Sequence, residues 1–254
     1  MLTPIRVRHP LLLSVGLTLG LLLALALAGT AAFMLHLPLP TPVPLAFVPI
    51  AVVLAVWAWR SHQWSELGYR HPRPGRYAMI AVGTILVVLA ITAWNVGSWH
   101  WDTVPGWLAF TFLVAFVEET FFRGIVLRML LPYGWTTAWI GSSVIFGLRH
   151  AINLIAGYQT AFTTFKQIGF ALAWGLFAAA YYAETDSIWP VFVFHALFDA
   201  IQLAGVHQTS TPVDLTTLAV MAFAAIVIGR RVADRSASAQ GVSGRDLSVG
   251  AVQG

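Results

Sequence analysis

The sequence predicts an all-α, polytopic membrane protein with about eight transmembrane helices, and three observations carry that prediction. Hydrophobic residues make up 58% of the chain and charged ones only 9%, with a mean hydropathy of +0.78, a balance foreign to soluble domains. The apolar residues fall in runs near the ~20 residues that cross a bilayer as a helix. The formal net charge of +4 gathers as Arg clusters between runs, which is a topology signal, and no nucleic-acid partner is expected. The chain has no cysteine, so disulfides, thiol nucleophiles and thiolate metal sites are excluded.

Arg6, Arg8 and His9 precede an apolar run over residues 11–37. That run exceeds the roughly 7–15 residues of a signal-peptide core and reads as a retained first span. Pro38, Pro40, Pro42 and Pro44 break it. A short second span is expected over 45–59, then an interfacial segment from Arg60 to Arg76, where Trp64, Leu67 and Tyr69 sit among arginines. The third span covers 77–96 and leads into a Trp-rich turn of the kind found in interface belts. Spans four to eight are expected over 107–131, 135–155, 162–182, 188–206 and 215–228. Residues 1–235 thus form a single transmembrane domain with a motif core of about 107–206. The Ser/Gly/Ala-rich residues 236–254 are expected to be a disordered cytoplasmic tail. With eight spans, the N-terminus, residues 60–76 and Arg230, Arg231 and Arg235 share one side. The positive-inside rule makes that side cytoplasmic. The expectation is an integral protein of a bacterial inner membrane with both termini inside.

The fourth span contains what lipid does not tolerate: Glu118, Glu119 and Arg123 in an otherwise apolar run. Each ionised group at mid-membrane costs roughly 3 kcal/mol or more, so such residues mark function by default. Glu119 and Arg123 are four apart and share a helix face, in the order that favours an ion pair. Glu118 lies about 100° round the axis and is free to address a cavity. His195 and Asp199, again four apart, share a face of the seventh span, and His150 lies four after Phe146 on the fifth, with Arg149 directed elsewhere. If they converge, Glu118, His150, His195 and Asp199 supply a base, two imidazoles and an acid. Such a set activates water and stabilises an oxyanion in peptide-bond hydrolysis. Glu118, His150 and His195 equally compose a zinc-ligand set with an open position. Taken singly, an intramembrane Glu–Arg pair or His is as often a packing device. Arg128 is expected to snorkel to the interface. Gly141-Ser142-Ser143 is a weak fragment of a serine-hydrolase spacing, and there is no His-Glu-x-x-His or Gly-x-Gly-Asp.

At these residues the chain resembles the CAAX-protease and bacteriocin-processing (CPBP, or Abi) intramembrane proteases, which include the type II CAAX prenyl endopeptidases. Glu118-Glu119-Thr120-Phe121-Phe122-Arg123-Gly124 matches the family's first motif, Phe146-Gly147-Leu148-Arg149-His150 its second, and His195-Ala196-Leu197-Phe198-Asp199 its third. The three in this order on successive spans make the resemblance specific over about residues 112–200. It implies an intramembrane endopeptidase in which Glu118 and His150 activate water and His195 and Asp199 form the oxyanion-stabilising side. Glu119, Arg123 and Phe146 would then be supporting residues. The prenyl-protease branch carries Asn where this chain has Asp199; an ionised Asp cannot donate to an oxyanion, so it is either protonated or orients His195. No cofactor is expected, although zinc stays open. The partners implied are the bilayer and a membrane-associated peptide, CAAX-type or a leader or bacteriocin precursor. The contrasting reading is a non-catalytic immunity or scaffold protein, or a proton-coupled carrier. A carrier should show an inverted repeat, which the sequence lacks.

Overall fold

The computed structural model describes residues 2–38 and 40–250, from 239 onward by backbone alone. Among the described residues eight helical bodies follow one another, with no strand and one isolated bridge, Trp99 to Gly205. They are α1 (Pro10–Met34), α2 (Pro42–Arg60), α3 (Arg76–Asn95), α4 (Val104–Glu119), α5 (Trp135–Leu148), α6 (Ala161–Thr185), α7 (Trp189–Ala204) and α8 (Thr211–Gly250). Helix α4 continues as a π-helical segment, Thr120–Leu127, and closes through Arg128–Leu130 and a 3₁₀ turn, Leu131–Tyr133. Helix α5 passes through a 3₁₀ turn, Arg149–Ala151, into Ile152–Ile155.

The protein is all-α and polytopic. Five stretches are long and apolar enough to cross a membrane: Pro10–Met34, Pro42–Arg60, Arg76–Asn95, Trp135–Ile155 and Thr211–Ser238, with Trp189–Ala204 a shorter apolar helix. Helices α4 and α6 fall outside that set: the regular part of α4 ends after 16 residues at Glu119, and α6 carries the polar residues Lys166, Gln167 and Glu184 towards its two ends. The polarity is inside out. Leu12, Phe33, Trp94, Phe162 and Phe223 are 70% to 89% exposed, whereas Glu118, Glu119, Arg123 and Arg149 are buried, as a bilayer solvent requires.

The second span begins earlier than expected. Pro42 and Pro44 sit inside the first turn of α2 rather than before it, because first-turn residues need no intrahelical N–H. The expectation of a disordered tail from residue 236 falls on residues of which 251–254 lie outside the described ones.

Contacts identify which loops share an end of the bundle. The segment 61–75, here called the strap, lies along the second half of the fourth helical body. Arg70 and Arg73 both pair with Asp186 in the α6–α7 turn, at 2.8 and 2.7 Å, and Arg235 pairs with Glu184 at 2.6 Å. The acidic turn therefore neutralises basic segments on its own side. Arg128, expected to snorkel, is instead buried. Its Nε donates to the Thr3 carbonyl at 2.7 Å and its Nη2 pairs with Glu66 at 3.2 Å, since these acceptors lie closer than solvent. At the opposite end, Lys166 pairs with Asp214 at 2.7 Å and the His100 N–H donates to the Ala204 carbonyl at 2.9 Å.

The strap is fixed by close approach. Gly68 has φ +98°, and a Cβ there would collide with the ring of Tyr182, whose hydroxyl donates to the Leu67 carbonyl at 3.1 Å. A β-branched residue would meet both the backbone penalty and the ring. Gly68→Val should therefore lower stability by about 1–3 kcal/mol, measured as the unfolding midpoint in detergent; an unchanged midpoint would show the strap to be loosely held.

Candidate active site

The site is built where α4 changes pitch. Glu118 and Glu119 close the regular helix, and Arg123 lies in the π-helical segment, a wider turn that often marks functional positions. Thr120, the first residue of that segment, donates to the Phe116 carbonyl at 2.5 Å and accepts from the Tyr69 hydroxyl of the strap at 2.6 Å. Burial pushes the Tyr69 phenol well above its usual range, so it stays a donor. A Cβ at Gly124 would stand 3.1 Å from Leu67 Cδ2, so that glycine admits the strap against the π turn.

Glu119 is the hub. Its Oε1 lies 2.7 Å from His195 Nδ1 on α7 and accepts from Trp174 Nε1 on α6 at 3.2 Å. Its Oε2 lies 3.1 Å from Arg123 Nε. The Arg123 N–H is not directed at that oxygen, so Oε2 has no hydrogen-bond partner and the contact is an ion pair. Arg123 Nη1 and Nη2 also lack partners, and the guanidinium lies 4.3 Å from the Phe146 ring centroid. That contact gives the cation a π face in place of water. The expected Glu119–Arg123 pair is present, and Phe146 supports it.

Glu118 does point elsewhere, but not into free space. Its Oε2 pairs with Nη2 of Arg149 and lies 3.8 Å from His195 Nε2. The same Arg149 nitrogen lies 3.3 Å from His150 Nε2. Arg149 was expected on a different side from His150. The 3₁₀ turn Arg149–Ala151 and the length of the side chain bring the guanidinium back over Phe146 and Phe122, 4.8 and 5.4 Å from their centroids. His150 Nδ1 is 3.2 Å from the carbonyls of Phe146 and Gly147. An arginine only donates, so His150 Nε2 accepts and the proton sits on Nδ1.

His195 shows both nitrogens to carboxylates: Nδ1 to Glu119, and Nε2 to Asp199 Oδ2 at 3.4 Å and to Glu118. A ring protonated at both positions would donate at both ends. Asp199 thus addresses the imidazole, the second of the two roles open to it. Its side chain is about one third exposed, so the cluster is open on that side. Towards the strap, Trp64, Tyr69, Phe116, Trp189 and Phe192 line an aromatic cleft of about 360 Å³. Phe116 and Phe192 are each three residues before a member of the Glu119–His195 pair. Glu118, His150 and His195 do not gather as a ligand set. Among the described residues no three His, Asp or Glu side chains are so placed, and the Arg149 guanidinium stands between the first two.

The family model described as type II CAAX prenyl endopeptidase Rce1-like matches residues 98–201. The likeness to the Rce1-like family is confined to that segment, about two fifths of the chain. The segment runs from just before α4 to the last turns of α7 and contains Glu118, Glu119, Arg123, Phe146, Arg149, His150, Trp174, His195 and Asp199, but not the strap residues Trp64, Leu67 and Tyr69. Comparison with curated proteins and with solved structures returns no match. Over that segment the chain is similar to a family of CAAX-type membrane proteases.

Two residues of the Rce1-like segment escaped sequence reasoning. Trp174 gave no signal, being one aromatic among the apolar residues of α6. Arg149 gave a signal, a charge in a span, that regular helical spacing sent to the wrong face. Glu119→Gln would leave Arg123 buried with no carboxylate of its own, a loss of about 3 kcal/mol or more. Chemical unfolding in detergent should show it, and a variant as stable as the parent would remove Glu119 from the centre of the network.

Proposed function

We propose that the chain is an intramembrane endopeptidase that hydrolyses a peptide bond of a membrane-proximal substrate with a water activated by Glu118 and His150. One observation carries the reading. Carboxylates of α4, the Arg149–His150 pair of α5 and the His195–Asp199 pair of α7 meet in one buried cluster within the segment matched to an endopeptidase family. Glu118 takes a proton from water, the resulting hydroxide adds to the scissile carbonyl, and His195 Nε2 donates to the oxyanion. Asp199 and Glu119 hold the imidazole for that donation. Collapse of the adduct breaks the C–N bond, and the leaving amine receives the proton first removed from water. The aromatic cleft supports an apolar peptide stretch beside the scissile bond. The substrate is CAAX-type or a leader or bacteriocin precursor.

The protein needs no metal in this reading. Purified protein should cleave a candidate peptide after chelation, and Glu118→Ala should lose about 10²-fold or more in kcat. Equal cleavage by the variant would remove Glu118 from catalysis, and loss on chelation with rescue by zinc would replace the water-only mechanism. We also place the protein in a bacterial inner membrane with the strap end and both termini cytoplasmic. Tags at either terminus should resist external protease in sealed spheroplasts; digestion would reverse the orientation.

A further inference from the structure

We infer that Arg149 is a positioning residue that aligns Glu118 and His150 through a single guanidinium nitrogen. The inference deepens the endopeptidase reading and rests on it. Nη2 of an arginine carries two hydrogens in a fixed plane, so it can serve two acceptors at once. Here its neighbours are Glu118 Oε2, held as an ion pair, and His150 Nε2, within hydrogen-bond distance at 3.3 Å, the two groups that share the attacking water in the mechanism above. No carboxylate other than Glu118 pairs with Arg149 among the described residues, and its Nε is buried without a partner. The side chain is therefore committed at its tip and not spent on fastening helices along its length.

The surroundings hold that tip in place. The guanidinium lies over the rings of Phe146 and Phe122, which fix its plane without competing for its hydrogens. His150 is fixed from the other side, its Nδ1 being engaged by the Phe146 and Gly147 carbonyls. Its Nε2 lone pair is thus aimed at the same nitrogen that holds Glu118. Removing the guanidinium leaves the carboxylate and the imidazole on separate helices, α4 and α5, with no shared partner between them. An ion pair that merely joined α4 to α5 would have no use for the contact to His150.

Arg149→Gln and Arg149→Lys, purified beside the parent, separate positioning from structure. In Arg149→Gln, kcat should fall by about 10²-fold, as when a reacting group is misplaced by an ångström, with KM little changed. Arg149→Lys keeps the charge but not the planar fork, and should fold with the parent's KM and an intermediate kcat. A kcat unchanged in both variants, or a loss carried wholly by KM, overturns the assignment. A second readout needs no substrate: labelling of Glu118 by a membrane-permeant carbodiimide, read by mass spectrometry. A carboxylate held by a guanidinium resists the reagent, so labelling should rise several-fold in Arg149→Gln and stay near the parent level in Arg149→Lys. Equal labelling in all three proteins overturns the Arg149–Glu118 pairing. If the parent cleaves no peptide yet Glu118 labelling rises in Arg149→Gln, the pairing stands and the endopeptidase reading fails.

Discussion

The structure turns on the carboxylate of Glu119. It has no contact with solvent, and it is held by His195 from α7, Trp174 from α6 and Arg123 from the π-helical turn that follows it. A charge so placed has no alternative in a bilayer: with a partner missing it would face hydrocarbon or an empty site. Three helical bodies are thereby obliged to meet at one point, and Glu118, His195 and Asp199 inherit their positions from that meeting. His195 is oriented because Glu119 fixes its Nδ1, which leaves Nε2 for Asp199 and for the opening beside it.

The same constraint explains why α4 leaves regular helical geometry where it does. An apolar helix packed among apolar helices has no reason to widen. One that must present Glu118 towards α5, Glu119 towards α6 and α7 and Arg123 over Phe146 has to distribute adjacent side chains around a larger circumference. The strap secures the widened turn from outside, through Tyr69 on Thr120 and Leu67 against Gly124. The strap is in turn pinned by Arg70 and Arg73 on Asp186. A chain of contacts thus runs from the basic end of the bundle to the buried carboxylates. The loop between the second and third helices belongs to the site even though it lies outside the segment matched to the Rce1-like family.

Much of this was legible in the residues. Apolar runs punctuated by proline, glycine and arginine placed the first seven helical bodies to within a few residues, since a bilayer fixes both length and composition. The eighth runs past its expected end at 228 to Gly250, because the residues after the apolar run carry no signal of where a helix stops. The i, i+4 spacings of Glu119 with Arg123 and of His195 with Asp199 gave two pairs that the structure contains, because neighbours on one helix face are decided locally. The sign pattern of the loops grouped the strap and Arg235, and the Asp186 and Glu184 pairings join them at one end.

The sequence by itself determined a polytopic helical protein, the polar residues its interior must satisfy, and the division of Glu118 from Glu119 by helical angle. Only the tertiary structure decided what each of them faces. The partners lie on other helices, and neither the rotation of those helices nor the reach of a long side chain is encoded in spacing along one of them. Arg149 is the clearest case. A regular helix turns it away from His150, whereas a tightened turn and the pull of a buried carboxylate bring it back between Glu118 and His150.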